Sequence, residues 1–133
     1  MPSALQHFLF VSRLAPGLEF SSVPSILEVS RARNPGLGIT GVLVFDGERF
    51  AQWLEGPPAQ VLALAARIEA DRRHVEMRLL HTGIRAAAER LAEDWRAGYA
   101  DAGELAHLHP VEGASDAALA LFLAAIPRFD LSR

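Results

Sequence analysis

Asp46-Gly47 separates two strand-like runs at residues 38–45 and 48–55. An Asp-Gly pair supplies the positive φ that a two-residue primed turn requires, so it closes an antiparallel hairpin. A chain with this hairpin at its middle is committed to a sheet. Alternation then assigns the faces of the second strand. Phe50, Gln52 and Leu54 share one face; Ala51, Trp53 and Glu55 share the other. Gln52 is thus a polar residue between two large apolar ones.

The flanking segments extend the pattern. Residues 5–11 are rich in Phe, Leu and Val and read as a first strand, with Phe8, Phe10 and Ser12 on one face and His7, Leu9 and Val11 on the other. From Ser21 or Ser22, both N-cap candidates, the period becomes helical. Val23, Ile26, Leu27, Ser30 and Asn34 lie on one face, and Pro35-Gly36 ends the helix, since the residue before proline avoids the α region. A second helix starts at Gly56-Pro57-Pro58, carries Val61, Leu64, Ala65 and Ile68, and closes at Asp71-Arg72-Arg73-His74. Residues 75–80 form a further strand, with Val75, Met77 and Leu79 on one face. Residues 85–94 are ambiguous, their Ala, Glu, Arg and Leu content favouring helix. Ser115 caps a last helix bearing Leu119, Phe122, Leu123 and Ile126, stopped by Pro127.

The order β-α-β-β-α-β predicts a ferredoxin-like α+β sandwich, with both helices on one face of a mixed or antiparallel sheet, plus a C-terminal strand/helix extension. Residues 1–100 form the main domain; 101–133 are a C-terminal helical extension packed on it.

Composition removes several chemistries. The 133 residues include no cysteine, which excludes disulfides, thiol nucleophiles and Cys-based metal sites. All 13 basic residues are arginine, so no lysine Schiff base or P-loop lysine exists. The net charge of −3 and the lack of a basic stripe argue against nucleic acid. No N-terminal leader pattern and no bilayer-length apolar run are found, so no membrane contact and a cytoplasmic location are expected.

Ser30 and Asn34 end the inward stripe of the first helix, and Gln52 faces the same layer if Phe50 and Leu54 do. Arg67 and Asp71 are spaced i, i+4 and either pair with each other or border the same cleft. A polar set at one end of an apolar groove suits a flat apolar ligand with hydrogen-bonding edges. Each residue also has a plainer reading. Asn34 at a helix end caps backbone, Gln52 joins a local network, and Arg67–Asp71 is a solvated pair. Ser12, Asp71 and His74 are triad residue types without a nucleophile's sequence context. His107 and His109 lack further metal ligands. Trp53 and Trp95 are by default core residues.

Three blocks carry a resemblance: Ser30-Arg-Ala-Arg-Asn34-Pro-Gly-Leu-Gly38-Ile-Thr-Gly41, Phe50-Ala-Gln52-Trp-Leu-Glu-Gly-Pro57 and Arg67-Ile-Glu-Ala-Asp71-Arg-Arg-His74. In this order and spacing the chain resembles the BLUF family of flavin-binding blue-light sensors, over roughly residues 5–100. The resemblance implies FAD between the two helices. It implies that Asn34 bonds the ring edge and that Gln52 is the glutamine whose amide rearranges on illumination. It places Arg67 and Asp71 at the ring or ribityl edge, and Arg73 and His74 near the ring or phosphate end. Ser12 and Ser30 line the pocket, and Ile39 packs on the ring.

Two departures accompany it. The family's first strand carries a tyrosine two residues before the serine, which supplies the electron and proton behind the glutamine change; here that position is Phe10. The single tyrosine, Tyr99, lies beyond these blocks. The family's fifth strand often reads Trp-x-Met, with an upstream aromatic; here Trp95 is kept, Ala97 holds the methionine position and Ala92 the aromatic one. The family would make this region a strand, whereas local propensity favours helix. The expected function is a FAD-binding domain of a blue-light photoreceptor with an impaired or atypical photocycle and no enzymatic activity. Output passes to an unidentified partner protein or through a homo-oligomer. The alternative is a light-insensitive interaction module. An acylphosphatase-like hydrolase of the same architecture lacks its phosphate loop here.

Overall fold

The computed structural model describes residues 4–108 and 115–133. The cap expected of the Ser115 side chain, and His109, lie outside the described residues.

Six strands form one mixed sheet: β1 (Ala4–Leu14), β2 (Thr40–Phe45), β3 (Arg49–Gly56), β4 (His74–Ala86), β5 (Trp95–Tyr99) and β6 (Asp130–Ser132). Their spatial order is β4-β1-β3-β2-β5-β6, with only β2 and β5 parallel. The first four strands, with α1 (Val23–Arg33) and α2 (Pro58–Ala70), make the ferredoxin-like sandwich that the element order implied. Among the described residues no helix is long and apolar enough to cross a membrane.

Each sheet face has its own core. Phe10, Leu43, Phe50 and Leu54 pack under Val23 and Leu27 of α1 and Val61, Leu64 and Ile68 of α2. On the other face Leu9, Val11, Val42, Val44 and Trp53 meet Ala118, Phe122 and Ala125 of α3 (Ser115–Ala125). Alternation along β1 and β3 therefore sorts side chains between two cores, as expected.

The central hairpin turns later than the sequence suggests. Phe45 pairs with Phe50, and the Asp46 N–H donates to the Arg49 carbonyl at 3.0 Å, so Gly47 and Glu48 form the tip. The cause is the buried Asp46 carboxylate. Its Oδ1 accepts the Glu48 and Arg49 N–H groups at 3.0 and 2.7 Å, and its Oδ2 accepts Leu105 N–H at 3.0 Å. The register moves by an even number of residues, so Gln52 keeps its face.

Other expectations give way to local geometry. Ser22 holds the N-cap position of α1 without a side-chain hydrogen bond, because a 3₁₀ turn at Phe20–Ser22 leads directly into the helix. Asn34 is helical (φ −66°, ψ −41°) although proline follows, because the chain continues as a 3₁₀ turn at Pro35–Leu37. β4 is longer than residues 75–80 and does not alternate simply. Its pairing with β1 shifts register twice, Glu76 takes φ 54°, and Val75 and Leu79 are exposed while Leu80 is buried. Residues 95–99 are strand. The helix propensity upstream yields one 3₁₀ turn, Ala87–Glu89. The C-terminal segment adds an edge strand, β6, to the helix read from its sequence.

Candidate functional site

A cleft of about 230 Å³ opens between α1 and α2 above β2 and β3. Ile26 and Val29 of α1, Ile68 of α2, Leu43 and Phe50 give it apolar walls. Ser30, Arg33, Gln52, Arg67, Asp71, Arg73 and His74 give it polar edges. Six of the residues singled out in the sequence meet here: Ser30, Gln52, Arg67, Asp71, Arg73 and His74.

Gln52 lies on β3 directly across from Phe10 on β1 and Leu43 on β2. Phe50 and Leu54 flank it on the same face. Its neighbours in the sheet are thus apolar on every side, and a half-buried amide there needs its partner from the cleft.

Ser30 sits in the last turn of α1, where its Oγ donates to the Leu27 carbonyl at 2.6 Å. The same oxygen accepts the indole N–H of Trp95 at 3.0 Å. Trp95 is buried beneath α1, so β5 touches the cleft through this serine.

Asp71 is the C-cap of α2, with extended backbone (ψ 121°). It has left the helical path, so i, i+4 geometry with Arg67 does not arise. Its partner is Arg73, whose Nη2 donates to Oδ2 at 2.6 Å and whose Nε donates to Oδ1 at 3.0 Å. The hydrogen bond from Arg73 holds the Asp71 carboxyl below its ordinary range, against burial, and in turn raises the Arg73 guanidinium. Arg67 borders the cleft beside this pair.

Arg33 was not singled out in the sequence. It follows Ile26, Val29 and Ser30 at helical spacing, one row round from the core stripe, and that spacing was the available signal. Burial, then the neighbouring Arg67 and Arg73 guanidiniums, push its pKa down, with Asp71 opposing. Half-buried Arg33 with exposed Arg67 and Arg73 at the cleft mouth suits an anionic ligand.

His74 opens β4. Its Nε2 lies 2.5 Å from the Ile68 carbonyl, which only accepts, so Nε2 carries the proton. Nδ1 is buried with no protein partner and is left as an acceptor.

Three expected residues stand apart from the cleft. Asn34 is buried as the C-cap of α1. Its N–H bonds the Ser30 carbonyl, its own carbonyl takes the Leu37 and Ile39 N–H groups, and its Oδ1 takes Arg33 Nε at 3.0 Å. Ile39 is buried in the helix-side core. Ser12 borders a separate groove with Arg13, Arg49, Glu76 and Arg78. Phe10 is buried and stacks on Phe8, and Ala97 is buried on β5. Among the described residues no three metal-ligating side chains gather.

The cleft fits a flat ring system. Its apolar walls match ring faces, Gln52 and Ser30 offer edge hydrogen bonds, and the orphaned His74 Nδ1 needs a donor. A volume of about 230 Å³ is below that of pockets enclosing whole drug-sized ligands, roughly 300–1,000 Å³. It therefore encloses a ring rather than a dinucleotide, with the arginines marking the end suited to phosphate.

Comparison with known proteins gives the same answer. Residues 5–98 match the family model for BLUF, "Sensors of blue-light using FAD". The photoactivated adenylate cyclase subunit alpha of Euglena gracilis is 34% identical over 68 residues, which are 51% of this chain and 7% of that protein. The blue light- and temperature-regulated antirepressor BluF of Escherichia coli (strain K12) is 30% identical over 70 residues, 53% of this chain and 17% of that protein. The chain thus spans less than a fifth of these relatives. The dark-state structure of BlrB, a BLUF protein, superposes with a TM-score of 0.70 at 29% identity, covering 94% of this chain and 98% of the other. Sheet order, cleft and family match agree, and the chain belongs to the BLUF family of FAD-binding blue-light sensors.

Proposed function

We propose that this domain holds FAD in the α1–α2 cleft but lacks the ordinary light-driven rearrangement of Gln52. The observation that carries the reading is Phe10 opposite Gln52 in the β1–β3 register. FAD supplies the absorption of blue light. Ser30, Gln52 and His74 would hold its polar ring edge, and Arg33, Arg67 and Arg73 would take the phosphate end. Asp71 keeps Arg73 in place. Asn34 and Ile39 act behind the cleft wall, and Ser12 stands outside it. A phenyl ring fills space beside Gln52, but it neither donates a hydrogen bond nor releases a proton. The amide is then fixed by the cleft alone.

The domain catalyses no reaction itself and acts in the cytoplasm through a partner protein or a second copy. The matched relatives support output through another domain or protein, since their cyclase and antirepressor names belong to proteins of which this chain resembles a small part. Ala92 and Ala97, in place of larger residues, favour a weakened light output.

The test is the visible spectrum of FAD-loaded protein before and after blue light. Flavin bands that do not move are expected, and Phe10→Tyr is expected to bring back a reversible red shift. A shift in the unsubstituted chain overturns the impaired-photocycle reading. Failure to take up FAD leaves the light-insensitive interaction module.

A further inference from the structure

The sheet face away from the cleft carries a polar chain that flavin binding does not use. Asp116, in the first turn of α3, has its Oδ1 2.8 Å from His81 Nε2. His81 Nδ1 is 2.6 Å from His7 Nε2, and His7 Nδ1 is 3.4 Å from Arg85 Nη2. Arg85 Nε is 3.3 Å from Glu55 Oε2. Glu55 Oε1 accepts the Leu91 and Ala92 N–H groups at 2.8 and 3.1 Å. His7 is 2% exposed and Glu55 0%. The imidazoles stack with centroids 4.8 Å apart. Gly83 makes room for them, since a Cβ there would lie 3.0 Å from His7 Cε1.

The two ends set the direction of every hydrogen in the chain. A carboxylate only accepts and a guanidinium only donates. Asp116 therefore requires the His81 proton on Nε2, which leaves Nδ1 as an acceptor. His7 then donates from Nε2, and its bare Nδ1 faces Arg85. The hydrogen bonds from Asp116 through His81 and His7 to Arg85 all run one way with both rings neutral, while Arg85 Nε and Glu55 Oε2 meet as an ion pair without a hydrogen bond. A further proton finds no such place. On His7 Nδ1 it meets Arg85 directly. On His81 Nδ1 it drives the His7 proton to Nδ1, again against Arg85. The misfit falls on the residue that pairs with Glu55.

We propose that the His7–His81 pair is a proton-sensing joint, in which a proton taken up at the α3 end is read out at the Glu55 carboxylate that holds residues 91 and 92. The charged groups facing the pair are Asp116 of α3, Arg85 of β4 and, behind it, Glu55 of β3. Burial, then Arg85, then His81 lower the His7 pKa to about 4, so His7 is neutral at neutral pH. Residues 91 and 92 lead to Trp95, whose indole reaches Ser30 on the cleft. Acidification is thus a second input to the α1–β5 contact, independent of light and of bound flavin.

The test is ¹⁵N NMR of the full chain from about pH 8 down to about pH 3, which covers the usual histidine range and reaches below the lowered His7 value. Both imidazoles are expected to carry their proton on Nε2 at neutral pH. On acidification the Leu91 and Ala92 amide signals should shift with the midpoint of the pair. Asp116→Asn alters an exposed side chain and keeps the oxygen acceptor, so the fold is safe. It removes the charge that favours the protonated pair, and the shared midpoint should move to lower pH. A His7 proton on Nδ1, amide signals at 91 and 92 that ignore the titration, or a midpoint indifferent to Asp116→Asn each overturns the proposal.

Discussion

Gln52 is legible from sequence because strand alternation and the Asp46-Gly47 turn determine its face before any partner is known. Ser30 is legible for the same reason on a helix. Arg33 and the Asp71–Arg73 pair were not, because a long cation's direction and a C-cap's departure from the helix depend on three-dimensional neighbours. Gly41 shows the same limit more sharply. Its φ is +135°, and a Cβ there would lie 1.7 Å from the Trp53 carbonyl oxygen and 3.4 Å from the Trp95 ring. Gly41→Ala is expected to cost about 3 kcal/mol or more, through backbone strain and a clash with a neighbouring main chain. Urea unfolding measures it, and a cost within about 0.5 kcal/mol, the usual surface range, contradicts that account.

At the scale of elements, residues 85–99 are where local preference loses. Ala, Glu, Arg and Leu favour helix by a few tenths of a kcal/mol per residue. Against that, β5 gains a parallel ladder with β2, an antiparallel one with β6, and burial of Trp95 and Ala97. Packing outweighs propensity because it acts on whole side chains. The C-terminal helix depends on packing too. Phe122 is fully buried, with its ring 6.0 Å from that of Phe129. Phe122→Ala is expected to cost about 3–5 kcal/mol, the range for emptying a buried aromatic site. The cleft draws on the core of the other sheet face, so FAD affinity of the folded fraction should stay near that of the parent chain. An affinity loss matching the stability loss would show instead that the two faces are one cooperative site.

Over the whole molecule, acid should weaken the fold through His7 before the carboxylates. Its pKa is lowered from 6.5 to about 4 by burial, Arg85 and His81. The unfolded chain therefore binds more protons between these values, and the contribution is complete above 6.5 and lost as pH falls toward 4. One proton limits the slope to about 1.4 kcal/mol per pH unit. The depressed Asp71 acts lower, its contribution being present above the ordinary 3.8 and lost below it. Urea midpoints at several pH values check this, and His7→Gln should flatten the profile above pH 4; an unaltered slope places the titrating group elsewhere. Periodicity and turn chemistry suffice for the ferredoxin-like order, the sheet faces and the inward placement of Ser30 and Gln52, because each is a property of short stretches of chain. The β5–β6 edge, the bulged β4, the arginine group and the His7–His81 pair needed the folded chain. They arise where segments far apart in sequence compete for the same hydrogen bonds and buried space, and no local pattern encodes the outcome.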